Sequence, residues 1–138
     1  MAAPRTGLPL PHAYPFVLLD RIVDVQRGAH AEAIRNLTRG DPLLDAAGML
    51  PAALLAEVMA QCTGVAVAGG DAGRGGMLVH IDRFRCRTHL AAGQAGRTLR
   101  VRMRITKIFG ATVKARGVIW IDQRRCAAGE LIVQLVSS

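Results

Sequence analysis

The sequence predicts an α+β fold in which an antiparallel sheet wraps around one long central helix. Three observations carry this expectation. Residues 51–68 are the one long helix-forming run, and they are apolar nearly all round. Residues 98–108 alternate strictly between apolar and basic or polar side chains. Two strand-like runs precede the helix and four follow it. Long antiparallel strands need an apolar element over their inner face, and a single buried helix supplies it. Such a sheet leaves an edge strand, and pairing that edge with a second copy gives a twofold dimer.

The elements follow in chain order. Residues 16–25 are rich in Val, Leu and Ile and form the first expected strand. Gln26, Arg27 and Gly28 make a turn, and residues 29–37 return as the second strand of a hairpin. Gly40, Pro42 and Gly48 mark residues 38–50 as a loop. The helix spans 51–68: proline suits the first helical position, and Gly69–Gly70 marks the stop. Between them lie Ala, Leu and Met, good helix formers. A helix apolar on all sides is buried on most of them. Residues 71–76 are glycine-rich and read as a loop, and residues 77–87 as the third strand. In the fourth, 98–108, Leu99, Val101, Met103 and Ile105 alternate with Arg100, Arg102, Arg104 and Thr106. A period of two buries one face and wets the other. Phe109-Gly110-Ala111 connects tightly to 112–121, and residues 122–125 turn into 127–136. No internal repeat is visible. The 138 residues are read as one domain, with 1–9 expected to be flexible.

Composition narrows the function classes. Apolar residues make up 51% of the chain, against disorder. The length buries a real core without a disulfide or metal staple. Cys62, Cys86 and Cys126 are far apart, with no Cys-x-x-Cys pair, so neither a zinc site nor a redox motif is expected. This usage fits a reducing cytoplasm. No signal peptide and no transmembrane run are expected, and the location is read as cytoplasmic. The formal charge is +8, and sixteen of the eighteen basic residues are arginine. One reading is compositional bias over solvated strand faces; the other is attraction of an acidic partner, nucleic acid or a phosphopantetheine carrier protein. Stacking on bases needs interleaved aromatics. With only Tyr14, Trp120 and three Phe, nucleic acid is the weaker choice.

Four ordered motifs bring in a family. Leu10-Pro11-His12-Ala13-Tyr14-Pro15-Phe16 followed by Leu19-Asp20-Arg21 resembles the opening signature of bacterial 3-hydroxyacyl-acyl-carrier-protein dehydratases. Ile34-Arg35-Asn36-Leu37-Thr38 is similar to their Lys-Asn-Val-Thr strand, and Glu57-Val58-Met59-Ala60-Gln61 to the Glu-Ala-Met-Ala-Gln of their central helix. Ile81-Asp82-Arg83-Phe84-Arg85, ending near Gly93, is similar to their Ile-Asp-x-x-x-Phe strand and following turn. The resemblance spans residues 10–93; the last third agrees only in strand pattern. It implies a hot-dog fold, a dimer as minimal unit, a tunnel for the acyl chain at the dimer interface, and substrate carried on the phosphopantetheine of acyl carrier protein, with no other cofactor. It also implies a lyase mechanism. A histidine removes the C2 proton, a glutamate on the helix of the facing subunit helps water leave, and backbone N–H groups near a helix N-terminus polarise the thioester carbonyl. The C2 proton is a poor acid, so base and oxyanion site must act together. A carboxyl kept protonated by its surroundings suits the leaving hydroxide.

The chain departs from that pattern at one place. The family's catalytic histidine sits in a Gly-His-Phe-Pro-Gly loop before the central helix; here the loop is shorter, and no histidine occurs between His30 and His80. Leu50-Pro51-Ala52 stands where the family has Met-Pro-Gly, resembling a divergent branch of hot-dog dehydratases associated with aryl-polyene-type lipid clusters. Glu57 is retained, the single charged residue between Asp45 and Asp71, and Gln61 shares its helix face four residues on. Glu57 is therefore the candidate catalytic acid, with Gln61, Leu50, Pro51 and Ala52 as substrate-binding candidates. The competing reading of Glu57 is a structural carboxylate satisfied by an arginine or a backbone N–H across a dimer. Candidates for the base are His12, Asp45 and His80. Each has a plainer reading: a structural motif histidine, a loop or helix-start aspartate, and a packed strand histidine.

Three activities stay open on these residues. The chain is a 3-hydroxyacyl carrier-protein dehydratase of fatty-acid or polyene-type lipid synthesis, a non-catalytic acyl-carrier-binding partner of an active hot-dog subunit, or an acyl thioesterase. Expected partners are acyl carrier protein and a homodimer, higher oligomer or heteromer.

Overall fold

The computed structural model describes residues 18–46, 48, 50–68, 74–87 and 96–137. Its elements are β1 (Arg21–Gln26), β2 (His30–Asn36), α1 (Ala52–Ala68), β3 (Arg74–Cys86), β4 (Thr98–Phe109), β5 (Thr112–Ile121) and β6 (Arg124–Ser137). The strands form one antiparallel sheet in the order β1-β2-β4-β5-β6-β3. The chain passes through α1 before β3, and β3 lands at the far edge beside β6. The helix lies in the hollow of the sheet and touches all six strands.

The alternation in β4 sets the two faces. Leu99, Val101 and Met103 are fully buried, while Arg100, Arg102 and Arg104 are exposed. Ala115 and Ile119 on β5, and Leu131 and Val133 on β6, continue the inner face. On β2 that face carries Ala31 and Ala33, both fully buried. Their small side chains let the helix come close enough for the Cys62 thiol to donate to the Ala31 carbonyl at 3.4 Å. Twelve of the seventeen helical residues are buried, so the helix is enclosed on most sides. Its last turn leaves carbonyls without intrahelical donors; Gly28, at φ 77° in the β1–β2 turn, donates to Ala66 at 2.8 Å. Midway along β5, Gly117 is held by a close approach. A Cβ there would strike the Arg102 carbonyl oxygen and the Met103 sulfur.

Boundaries move in four places. The first strand begins at Arg21, not residue 16, because Leu18 and Leu19 are buried as core while the Leu18 backbone is bonded by side chains. Pro51 is the residue before the helix, its carbonyl accepting from Leu54 at 2.9 Å and Leu55 at 3.1 Å. The third strand begins at Arg74, inside the expected loop, because Gly75 and Gly76 pair with Val136 and Leu135. The ladder overrides glycine's weak strand preference. The last strand starts at Arg124, so the turn shrinks to two residues. Asp122 takes φ 54° there, a conformation that Asp tolerates better than most residues. Residues 1–9 lie outside the described part. Among the described residues no helix is long and apolar enough to cross a membrane.

Burial raises the Cys62 thiol from 9.0 to about 12, and burial followed by the neighbouring Cys86 raises Cys126 to about 12. A folded-state pKa above the unfolded value favours folding fully below the unfolded pKa and loses that contribution as pH climbs toward the folded one. Urea midpoints are therefore expected to hold steady below pH 9.0 and to fall progressively toward about 12. A Cys62→Ala, Cys126→Ala variant should lose much of that alkaline slope.

Candidate active site

The helix places Glu57 one turn and a half in from its start, half-buried, on an otherwise apolar element. Gln61, four residues on and 2% exposed, stands directly above it. The Gln61 amide nitrogen donates to Glu57 Oε1 at 3.4 Å, and its oxygen accepts the Leu18 N–H at 2.9 Å. Both ends of the amide are thereby used, and its flip is fixed by the backbone donor. Half-buried, Glu57 has a buried polar neighbour on one side.

Leu18 is held from its other side as well. Arg35 Nη1 donates to the Leu18 carbonyl at 3.1 Å, and Arg35 Nη2 to Asp41 Oδ2 at 2.6 Å. Both partners of this ion pair are buried, with side-chain exposures of 8% and 4%. Asp41 Oδ1 also accepts from Leu43 N at 3.0 Å, shaping the loop that leads to the helix. Sequence reasoning missed this pair. The signal was present: Arg35 follows Ala31 and Ala33 at a spacing of two, so it shares their buried face, and a buried guanidinium requires an acceptor.

The helix start is a second feature. Leu50 is 3% exposed, whereas Pro51 and Ala52 are exposed. No acidic side chain lies in the first turn, so the positive end of the helix keeps its field. Of the proposed bases, Asp45 is exposed in the loop, its carbonyl accepting from Gly48 at 2.9 Å, as a turn residue does. His80 is exposed on edge strand β3, opposite Ile132 and on the face turned away from α1. That is a different surrounding from the packed strand position expected of it. His12 lies outside the described residues. The geometry thus brings Glu57 and Gln61 together and sets Leu50 near the helix start, while His80 stands apart from them. Among the described residues, no group of three or more His, Cys, Asp or Glu is placed to hold a metal.

A hollow of about 360 Å³ lies on the opposite, outer face, lined by Arg102, Arg104, Arg116, Val118 and Trp120. The sheet separates it from Glu57, so it is not a candidate for an acyl site serving that acid. Arg100 covers the Trp120 ring at 4.9 Å.

Comparisons with known proteins agree with this architecture. The profile of a family described as ApeP-like, ApeP dehydratase, matches residues 6–134. The 3-hydroxyacyl-acyl-carrier-protein dehydratase FabZ of Pelotomaculum thermopropionicum is 33% identical over 129 residues, covering 89% of this chain and 90% of its own. The FabZ of Clostridioides difficile is 29% identical over 133 residues, covering 92% of each. Among solved structures, the dehydratase heterocomplex ApeI:P from Xenorhabdus doucetiae superposes with a TM-score of 0.81 at 24% identity, covering 96% of this chain and 91% of that one. The Pyrococcus horikoshii protein PH1136 gives 0.67 at 11% identity, over 100% of this chain and 97% of its own, a likeness of fold alone.

Proposed function

The chain belongs to the ApeP-like dehydratase family, and on that footing we propose that it eliminates water from 3-hydroxyacyl thioesters of acyl carrier protein, with Glu57 protonating the departing hydroxide. The observation that carries this reading is the seating of Glu57: the one acid of a buried helix, oriented by Gln61, which is itself fixed by a backbone N–H. A carboxylate needed only for solubility would have no such support.

The elimination balances simply. A base takes the C2 proton, the C3–O bond breaks, hydroxide leaves with the proton from Glu57 as water, and a C2–C3 double bond remains. The exposed N–H groups of the first helical turn, around Ala52, would polarise the thioester carbonyl as charge develops on it. Leu50 and Pro51 would border the thioester end of the chain, and Gln61 would orient the acid. No resident cofactor enters; the substrate arrives on the carrier's phosphopantetheine. For the base, His12 is the candidate carried by the opening motif, Leu10 to Phe16. Asp45 and His80 are weaker on their exposure.

The exposed Val79 and Ile81 of edge strand β3 favour pairing with a second hot-dog subunit, a copy of this chain or a relative. The loop without histidine favours a second reading, in which the chain binds acyl carrier protein inside a heteromer whose other subunit supplies the base. Intact-mass spectrometry on 3-hydroxyacyl carrier protein tests both. Loss of one water with the purified chain alone supports the first. Turnover that appears only when a second hot-dog subunit is added supports the second. Release of free carrier thiol would instead mark a thioesterase, and a folded oligomer that leaves the substrate unchanged under every condition overturns the proposal.

A further inference from the structure

The end of the β4–β5 hairpin joins exposed apolar side chains to a pair of lysines. Ile108 is 48% and Phe109 63% exposed, consecutive and so on opposite faces of the ladder, just before Gly110 turns the chain. Phe109 pairs with Thr112 as the last rung, so both apolar side chains sit at the extremity of the ladder. A shift of register after Ile105 then places Lys107 directly opposite Lys114, both exposed. These are the only two lysines in the chain. The next basic pair up the same hairpin is Arg104 opposite Arg116.

Like charges directly across a ladder destabilise it, and an exposed Phe–Ile pair leaves apolar area in water. Up the sheet the repulsion is offset at Arg116, which stands across the ladder from Glu130 on β6. At the tip it is not relieved in that way, because Lys114's other ladder neighbour is Ile132. The tip is also firmly built. Thr106 Oγ1 donates to the Lys114 carbonyl at 3.1 Å, Leu135 N to the Ala111 carbonyl at 2.7 Å, and Lys107 Nζ lies 4.2 Å over the Phe109 ring.

From this we propose that the β4–β5 hairpin tip is a peripheral docking site for an anionic lipid surface. Phe109 and Ile108 enter the boundary between headgroups and acyl chains, and Lys107 and Lys114 meet the phosphates. Apolar side chains beside amphipathic cations are the chemistry of interfacial binding, and anionic headgroups neutralise the lysine pair. Nucleic acid suits the tip less well. Its single aromatic ring is already covered by Lys107, and Trp120 lies at the other end of the hairpin under Arg100. The inference concerns binding and is independent of the reaction proposed for Glu57.

The test is co-sedimentation of the full chain with vesicles of phosphatidylcholine, alone or mixed with phosphatidylglycerol, at low salt. Binding is expected only to the anionic vesicles. Lys107→Gln with Lys114→Gln should weaken it about thirtyfold, the worth of two cations near such a surface. Phe109→Ser with Ile108→Ser should weaken it about tenfold or more. Arg124→Gln with Arg125→Gln removes the same charge at the opposite end of β5–β6 and should change binding less than about twofold. Circular dichroism and sedimentation verify fold and oligomer. Equal losses for the lysine and arginine pairs would mean net charge alone and overturn the proposal. So would equal binding to both vesicles, duplex DNA binding that the tip lysines control while vesicles stay unbound, or tip variants that change only the oligomer.

Discussion

Glu57→Gln is expected to lower dehydration of 3-hydroxyacyl carrier protein by about a hundredfold to ten-thousandfold, the span that positioned proton transfer contributes. Gln is nearly the same shape, and its amide oxygen still accepts from Gln61, so the helix should keep its packing. The change removes only the ability to deliver a proton. Urea midpoints should move by less than about 0.5 kcal/mol in equivalent stability, and affinity for the carrier should hold. Single-turnover mass spectrometry separates these quantities. A variant retaining turnover within a few fold would reduce Glu57 to a structural carboxylate and leave the acid unassigned.

Asp41→Ala is expected to destabilise the fold by about 3–5 kcal/mol, the cost of taking one partner from a buried ion pair. The pair is close, at 2.6 Å, and nearly solvent-free, so water does not replace the lost carboxylate. Asp41 also holds the Leu43 N–H, which the alanine abandons too. Replacing both charges, Arg35→Met with Asp41→Leu, should recover most of the loss, because apolar groups of similar volume often substitute for a buried pair without penalty. Urea unfolding measures both. A loss under about 1 kcal/mol for Asp41→Ala would show that this pair behaves like a solvated one.

The features legible in the sequence are those with a short-range signature. Period two in β4 gave both faces of the sheet, and the apolar run of 51–68 gave the buried helix, because burial on all sides leaves no polar stripe. Glu57 and Gln61 were legible as one helix face through their spacing of four, and as a site only through the family resemblance. The start of β3 at Arg74 was not, because two glycines give no strand signal and the ladder with β6 that orders them joins residues about sixty apart in sequence. The Arg35–Asp41 pair was hidden for a related reason. Alternation puts Arg35 inside, but which acid answers it depends on how the following turn folds back. Leu18 left no trace at all: its importance lies in its backbone N–H and carbonyl, and every residue but proline has both.

That backbone has a consequence for how the site responds to change. Asp41, Arg35, Leu18, Gln61 and Glu57 form one unbroken relay of hydrogen bonds, with a carboxylate at either end and a single residue of main chain at its midpoint. Loop shape and acid orientation are therefore not separate properties. Perturbing the far carboxylate should reach the near one through four shared links, and substitutions at the two ends should combine non-additively in a double-mutant cycle.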